Sequence, residues 1–595
     1  MALFTPSESP AVVVKEVDNT GGVPNVQTST GAIVGNFSWG PVEKRTRVAN
    51  EAGLVETFGA PDTTNTIDFH NAAYFLRYSN TLQVVREITS AAQNSTGNVG
   101  QTAAYAPAGL ANVVVKNKEN FDAQQSALDS DGHAAIARFP GALGNSLRIS
   151  VCPPSVNDSA FDGWAYKSAF DGAPGTSAYD SARDASNTEI HLAVVDQNGL
   201  FTGTKGTILE TYPYVSVASN SRNADGTTNF AIDVINNRSQ YVYLIGFDSN
   251  FANSGNAGTA LTPGTAKNFL GTQVAGLSAV ANIDFDSGAN SAALGTAEFL
   301  TGFDLFEDTD AVEVDFLIAP GMNTRADQVT VVNDLISTAG TTRKDCVVVT
   351  SPPRSEVVGQ LNETTITNNI VGTVAQFTDT SYCVADANYL KIYDKFNDQF
   401  IEIPAASSTA GLMAETDRVA APWFSPAGPR RGNYLGVTSI NYNPNKTNRD
   451  ALYKGSVNPI VNIAGSGVQL FGDKTRLSRP SAFDRINVRR LFLVLERAIS
   501  RAAKNVLFEF NDEFTRAEFV NVIEPVLRDV KGRRGITDFR IVADETVNTA
   551  AVIDRNEFIA NIFIKPARSI NYVTLNFVAV RTGVDFEEVV GSSGV

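Results

Sequence analysis

The sequence predicts an α/β (α+β) multidomain protein with a layered core built from N- and C-terminal parts, an inserted β-rich domain and extended terminal arms. Three observations support this class. The chain has 595 residues, enough for about three or four domains. Helix and strand patterns alternate near both ends of the chain, whereas its middle third contains mainly short strand patterns. Hydrophobic residues make up 43% of the chain, which suffices for several buried cores.

The first part of the chain begins with a β-prone run and continues as a βαβ unit. The run PAVVVKEV (10–17) is β-prone and has too little sequence around it to form its own core, so residues 1–20 are a candidate for an extended arm, with a frayed terminus as the alternative. AIVGNFSWGP (32–41) predicts a short strand that ends at a Gly-Pro pair. Apolar residues at helical spacing predict a helix over 67–78, and alternation predicts a strand over 82–88.

The middle part changes composition and predicts a separate domain. From about residue 91 to 300 the chain is rich in Ala, Ser, Thr, Asn and Gly, and turn residues separate short strand patterns. The predicted strands are 146–151, 189–196, 207–212 and 240–247. We predict a β-rich, outward-facing domain over 118–299, inserted into the first part. Such an insertion is tolerated because loop-closure entropy grows slowly with loop length.

Alternating elements return from about residue 300. The predicted order is a strand at 313–320, a helix at 326–338, a strand at 345–353, one helix within 355–371 and strands near 381–387 and 388–396. Next come helices at 485–504 and 512–529 and strands at 538–545, 557–567 and 570–580, the last two joined at Pro566. We predict one α/β core from 21–95 and 300–580, whose C-terminal domain spans about 470–580. A C-terminal arm follows at 581–595.

Charge and motif content exclude several function classes. The chain has 47 basic and 63 acidic residues, a net charge of −16, which disfavours a nucleic-acid partner. No run of 18 apolar residues occurs, so we expect no direct membrane insertion. The three histidines and three cysteines are far apart, and neither metal-site spacings nor a phosphate-binding loop occur. We therefore predict no enzyme, no cofactor and no metal.

Four strings of the sequence are specific enough to indicate a family. They are GNFSWGPVEKRTRVANEAGLVETFG (35–59), VVVTSPPRSEVVG (347–359), SAFDRINVRRLF (481–492) and NEFIANIFIKPARSINYVTLNFVAVRTGVDFEE (556–588). Their sequence and order resemble the contractile tail sheath proteins of myovirus-type phages, although Ala482 stands where relatives often have proline. FPGALGNSLRISV (139–151) also resembles a strand entry of that family. The resemblance departs at about 95–118, where large relatives have an extra outermost domain.

The resemblance implies a structural subunit rather than a catalyst. Such subunits polymerise as stacked helical hexameric rings around the tail tube, and the sheath contracts to drive the tube through the host cell envelope for genome ejection. The implied partners are other copies of the chain, the tail tube protein, and the baseplate and tail terminator proteins. The implied location is the virion, after assembly in the host cytoplasm. The alternatives are the sheath of a non-viral contractile injection system, such as a phage-derived bacteriocin or secretion system, and an α/β enzyme with an unrecognised site.

In the resembling family the chain ends add strands to a sheet of neighbouring subunits, which implies inter-subunit arms here. The arm residues implied by this role are Val12, Val13, Val14, Val578, Val580 and Phe586. The alternative is that both ends are ordinary frayed termini.

A local excess of positive charge indicates a second assembly surface. Residues 470–540 contain 15 basic and 10 acidic residues. Four basic residues of the predicted helix 485–504 fall within roughly 60° of one another at 100° per residue, opposite an apolar stripe of Leu491, Leu495, Ile499 and Ala502. These four are Arg490, Arg497, Arg501 and Lys504. A second group, at the end of the next helix, consists of Arg528, Lys531, Arg533 and Arg534. Both groups are candidates to face an acidic tube or acidic neighbours within the sheath, and the alternative is a solvated face with weak local ion pairs.

Overall fold

The computed structural model describes residues 29–97, 113–130, 135–154, 156–183, 188–245 and 280–569. Both predicted arms and the predicted strand 570–580 lie outside these ranges, as do the six arm residues Val12, Val13, Val14, Val578, Val580 and Phe586. The described residues form two units. The large unit comprises 29–422 and 426–498, and the C-terminal unit comprises 423–425 and 499–569.

The strands of the large unit are mostly short. In chain order they are β1 (Gly31–Gly35), β2 (Arg45–Val48), β3 (Leu82–Arg86), β4 (Thr96–Gly97), β5 (Ala135–Ala137), β6 (Leu147–Cys152), β7 (Glu189–Asp196), β8 (Thr207–Ser216), β9 (Val242–Leu244), β10 (Ala281–Asp286), β11 (Phe316–Ile318), β12 (Val347–Thr350), β13 (Cys383–Ala385), β14 (Tyr389–Asp394), β15 (Gln399–Pro404), β16 (Ser439–Ile440), β17 (Ile460–Ile463) and β18 (Gly467–Leu470).

Helices precede or follow most of these strands. They are α1 (Glu51–Phe58), α2 (Thr66–Phe75), α3 (Lys118–Ser130), α4 (Ser159–Asp162), α5 (Ala178–Ser181), α6 (Ala231–Arg238), α7 (Thr296–Asp304), α8 (Arg325–Ser337), α9 (Arg354–Val357), α10 (Glu363–Val374), α11 (Ala406–Val419) and α12 (Lys446–Lys454). Helix α13 (Ile486–Lys504) begins in the large unit, and its last turns belong to the C-terminal unit.

A six-stranded sheet joins the N-terminal and central parts of the chain. Its order is β13-β12-β11-β1-β3-β2, and the strands are parallel except β2, which runs antiparallel to β3. Neighbouring residues of β1 alternate between two cores: Ala32 and Val34 pack with residues of α7, α8 and α10, and Ile33 packs with residues of α2 and α11. A parallel sheet covered on both faces needs such continuous apolar strands. The predicted α/β class and the βαβ opening are confirmed.

A second, seven-stranded sheet is formed by the middle part of the chain. Its order is β8-β7-β6-β10-β4-β5-β9, and every pairing in it is antiparallel. The strands predicted in this part correspond to β6, β7, β8 and β9. Their inward residues, among them Ile149, Leu192 and Val194, form a separate core with α6, to which Trp39 of the first part also belongs. The exact domain limits, 118–299 and the flanking core segments, stay a prediction.

The buried Arg86 connects β3 to the entry of the middle part. Its guanidinium donates hydrogen bonds to the carbonyl oxygens of Phe37 (2.8 Å), Gly40 (2.7 Å) and Pro140 (2.6 Å). Pro140 belongs to the FPGALG string and Gly40 to the NFSWGP string, so this one side chain joins two turns that are about 100 residues apart in sequence. A buried guanidinium needs such partners because its charge is otherwise desolvated without compensation.

One predicted helix is wrong in detail. The segment 355–371 was predicted as a single helix, but α9 ends at Val357 and α10 begins at Glu363. Between them Gly359 adopts φ +79°, a left-handed conformation that stops a helix. The side chain of Asn362 then accepts a hydrogen bond from the backbone N–H of Thr365 (3.0 Å) and starts α10.

Two smaller sheets complete the large unit, and the C-terminal unit has its own core. Strands β15-β14-β16 form an antiparallel three-stranded sheet, and β17 and β18 form a hairpin.

The C-terminal unit contains α14 (Glu513–Gly532), β19 (Ile536–Val542), α15 (Ala550–Ile553) and β20 (Asn561–Pro566), and β19 pairs antiparallel with β20. Within the described ranges, no helix is long and apolar enough to cross a membrane.

Packing around Gly411 gives a test of the large unit's core. A Cβ added at Gly411 in α11 would lie 2.3 Å from Cδ2 of Tyr78, whose hydroxyl oxygen is held by the backbone N–H of Leu435 (2.7 Å). We expect Gly411→Ala to lower the free energy of unfolding by about 1–3 kcal/mol because the ring has no room to move. Gly372→Ala in α10 is the control: its Cβ would meet the Arg325 guanidinium only at 3.5 Å, so stability should rise by up to about 1 kcal/mol. Calorimetric melts that rank the two variants in the opposite order would contradict this packing.

Candidate functional site

The first basic residue predicted to face outward, Arg490, is inside the large unit. Its guanidinium binds both carboxylate oxygens of Asp417, at 2.6 and 2.5 Å, and donates to the carbonyl oxygen of Met413 at 2.8 Å. It also lies over the ring of Phe316 at 4.9 Å, and only 4% of the residue is exposed. The prediction that Arg490 faces the tube is therefore wrong.

Arg497 is also largely enclosed, with 10% of its side chain exposed. Its Nη1 donates to Oδ1 of Asp315 at 2.6 Å, and its Nη2 donates to the carbonyl oxygens of Asp345 (2.9 Å) and Val314 (3.2 Å). The other carboxylate oxygen of Asp315 accepts from the backbone N–H of Thr30 at 2.9 Å. Burial raises the pKa of Asp315 to about 6, although the guanidinium of Arg497 acts in the opposite direction. Arg497 is a structural residue, and its prediction as tube-facing is also wrong.

The physical reason is that α13 is covered on more than its apolar stripe. Leu491 and Leu495 are buried as predicted, but so are Ile486 and Leu493, which lie on the side of the helix that carries the basic residues. A helix enclosed on several sides can contain arginines only if carboxylates or carbonyl groups meet them. Helical spacing alone gives the angle of a side chain and does not reveal the acidic residues on neighbouring segments.

The other basic candidates lie in the last turns of α13 and at the end of α14. Arg501 is half-buried and Lys504 is exposed. In the second group, Arg528 pairs with Glu524 (2.8 Å), Lys531 with Asp538 (3.1 Å) and Arg533 with Asp529 (3.6 Å). Arg534 is exposed in a left-handed conformation with φ +67°. These pairs are solvent-exposed and therefore weak, so the surface stays available to an acidic partner. The assignment of these six residues to such a partner stays a prediction.

A group of exposed apolar side chains was missed by the sequence analysis. Between α13 and α14 the exposed fractions are 62% for Leu507, 105% for Phe508 and 84% for Phe510, and Phe514 in the first turn of α14 is 76% exposed. The side chain of Asp512 accepts from the backbone N–H of Thr515 (2.8 Å) and caps α14. The string LFEFNDEF was a usable signal, because aromatic residues alternate there with acidic ones in a segment too short to have its own core.

The histidines and cysteines of the described ranges have packing roles. Nε2 of His70 lies 3.0 Å from the carboxylate of Asp394, and both side chains are buried. His191 stacks on Phe170 and contacts backbone groups through both ring nitrogens. The three cysteines are buried, and burial raises the pKa of each thiol to about 12. No group of three or more His, Cys, Asp or Glu suited to a metal ion occurs in the part of the chain that the structure describes.

Comparison with known proteins identifies the family. The model of the phage tail sheath protein central domain matches residues 292–476, and that of the phage tail sheath C-terminal domain matches residues 478–579. The chain is 34% identical to the tail sheath protein of Vibrio phage KVP40, over 98% of this chain and 99% of that protein. The chain belongs to the phage tail sheath protein family. It is also 32% identical to the tail sheath protein of Enterobacteria phage T4, again over 98% and 99% of the two chains.

A solved structure supports the fold. The crystal structure of the sheath tail protein from Listeria innocua matches 91% of this chain and 93% of its own chain, with a TM-score of 0.53 and 11% sequence identity. The resemblance predicted from the four strings is thus confirmed, and so is the function as a phage tail sheath subunit. The family is a structural one, and its members are virion components.

Replacement of Arg497 tests whether this side chain stabilises the fold through its ion pair with Asp315. In Arg497→Met, the carboxylate of Asp315 loses its cation, and we expect the free energy of unfolding at pH 8 to fall by about 3–5 kcal/mol. The loss should shrink as the pH falls from 8 towards about 6 and then change little, because removal of the guanidinium raises the pKa of Asp315 further and the variant's carboxylate is protonated at a higher pH than the parent's. The folded-state pKa of Asp315 is already above its usual value of 3.8, so the folded chain takes up this proton before the unfolded chain does.

Lys504→Met, on the same helix, is the matched control for this test. Lys504 is exposed, so its replacement should change stability by less than about 0.5 kcal/mol at every pH. Urea unfolding at pH 5, 6, 7 and 8 measures both variants. Similar, pH-independent effects of the two substitutions would mean that Arg497 does not stabilise the buried carboxylate.

Proposed function

We propose that this sheath protein polymerises as stacked helical hexameric rings around a tail tube, and that the sheath contracts to drive the tube through the host envelope for genome ejection. The observation that supports this most is the identity to two phage tail sheath proteins over nearly the whole chain. The free energy for contraction would come from exchanging one set of inter-subunit contacts for a more stable set, released from a kinetic trap.

The proposed partners follow from the same role. They are other copies of this chain, the tail tube protein, and the baseplate and tail terminator proteins, with assembly in the host cytoplasm. We assign the core to 21–95 and 300–580 and an outward-facing position to the domain at 118–299. Electron microscopy of the purified protein tests the assembly: ribbed tubes or six-fold rings are expected, and a protein that stays monomeric at every concentration would contradict it.

The arms at 1–20 and 581–595 are proposed to add strands to a sheet of neighbouring subunits. The two-stranded sheet of β19 and β20 is a suitable acceptor, because in the described part of the C-terminal unit each strand pairs only with the other. An isolated two-stranded sheet is marginally stable in water, and added strands would complete its hydrogen bonds. Val12, Val13 and Val14 would pair from one arm, and Val578, Val580 and Phe586 from the other end.

Terminal deletion tests the arms. Removal of residues 1–17 or 582–595 should leave a soluble subunit with normal helix and strand content by circular dichroism, but without tubes in electron micrographs. The reason is that strand addition supplies contacts between subunits rather than within one. Removal of residues 1–5 is the control, since it keeps Val12 to Val14 and should leave polymerisation unchanged. Normal tubes from both long deletions would rule out the arm role.

A further inference from the structure

The two ends of α14 expose different kinds of side chain. The helix has 20 residues and is about 30 Å long. Its N-terminal end and the preceding loop expose aromatic and acidic side chains, and its C-terminal end exposes basic ones. We call residues 507–514 the aromatic end, and Arg528, Lys531, Arg533 and Arg534 together the basic end.

The aromatic end exposes more apolar surface than a solvated loop requires. Phe508, Phe510 and Phe514 each expose at least three quarters of their surface within seven residues of chain. Glu509 and Glu513, interleaved with them, are exposed as well. The helix dipole explains acidic residues at the start of a helix, but it gives no reason for three exposed aromatic rings. A contiguous exposed apolar patch bordered by charges is typical of a protein interaction site.

The basic end has the complementary chemistry. An arginine guanidinium can stack on an aromatic ring and can bind a carboxylate through two parallel hydrogen bonds. Arginines therefore suit both the phenylalanine rings and the glutamates of the aromatic end. Arg528 and Arg533 now pair with acidic residues one turn away in α14, at 2.8 and 3.6 Å. Such exposed pairs within one helix are weak and can be exchanged for contacts with a neighbour.

We propose that the aromatic end of α14 in one subunit binds the basic end of α14 in the next subunit of the sheath. This inference rests on the proposed function and names one contact of the polymer. The ends of one helix are about 30 Å apart and cannot meet each other, so a contact between these two surfaces has to form between copies. A contact between two different surfaces of the same chain forms a closed ring if its rotation closes and an open helical filament if it does not, and a sheath of stacked rings is built from contacts of this kind.

Charge reversal on full-length protein, without any tube protein, tests this contact. One variant changes Glu509→Arg with Glu513→Arg, and the other changes Arg528→Glu with Arg534→Glu. Each places like charges across the contact, so each alone should raise the concentration needed for polymerisation by more than about tenfold. A one-to-one mixture of the two variants should polymerise, because every contact in an alternating polymer then joins opposite charges. The chain with all four substitutions should polymerise by itself for the same reason.

The controls separate this contact from folding and from general charge effects. All variants should melt near the parent's temperature, since the changed side chains are exposed. Lys446→Glu with Lys454→Glu, at the two ends of α12, gives the same change in net charge as Arg528→Glu with Arg534→Glu and should leave polymerisation unaffected. Phe508→Ser with Phe510→Ser should also weaken polymerisation, and this loss should persist at high salt, where charge interactions are screened.

The outcomes of these experiments distinguish a failure of the proposed contact from a failure of the proposed function. Normal polymerisation of both charge variants, or no rescue in the mixture and in the fourfold variant, would overturn the contact and leave the proposed function intact. If the Arg528→Glu, Arg534→Glu variant forms normal sheath tubes but no longer sediments with added tail tube, the basic end binds the tube and the contact is wrong. If the parent protein forms neither tubes nor rings, the proposed function fails, and this contact with it.

Discussion

The buried pair of Arg497 and Asp315 is the interaction on which the arrangement of the large unit depends. Asp315 precedes β11, and its carboxylate also holds the backbone of Thr30 just before β1. Arg497 also binds the carbonyl oxygen of Asp345, just before β12. The segments that precede three neighbouring strands of the parallel sheet, β1, β11 and β12, therefore meet at this ion pair. Arg497 connects α13 to the same place. An unpaired charge would be costly there, so these segments have to be placed together.

Arg86 has a comparable role where the chain leaves the parallel sheet for the middle part. Two of its carbonyl partners, Phe37 and Gly40, belong to one turn, and the third, Pro140, belongs to a turn about 100 residues further along the chain. Arg86 is fully buried and the side chain of Arg497 is 10% exposed, and both donate hydrogen bonds to backbone carbonyl oxygens. Buried guanidinium groups with several fixed acceptors specify one geometry, because small displacements leave a charge without its hydrogen bonds. The core of this sheath protein is thus positioned by polar contacts in addition to apolar packing.

The C-terminal unit has a different balance of buried and exposed residues. Its core consists of a few residues of α14 and of the two-stranded sheet, including Phe519, Ile523 and Leu527, while aromatic rings and arginines remain in solvent. A subunit that polymerises needs surfaces whose individual contacts are weak enough to be exchanged. Their sum over many copies still determines the assembly. On the proposed function, contacts between subunits would rearrange through the exposed side chains of the C-terminal unit. The buried cores of the large unit would keep the subunit folded meanwhile.

The sequence by itself determined the family, the α/β class and most strand positions, because these depend on local patterns and on four long specific strings. The positions of Glu189–Asp196 and of the two long helices followed from periodicity within one or a few residues. Periodicity could not show that Arg490 and Arg497 are enclosed, because their acidic partners, Asp417 and Asp315, are distant in sequence and meet them only in the folded chain. Nor could it show the exposed rings at Phe508 and Phe510, since exposure depends on what the rest of the chain leaves uncovered. Local sequence determines which element forms, whereas only the tertiary structure determines which face of it meets a partner.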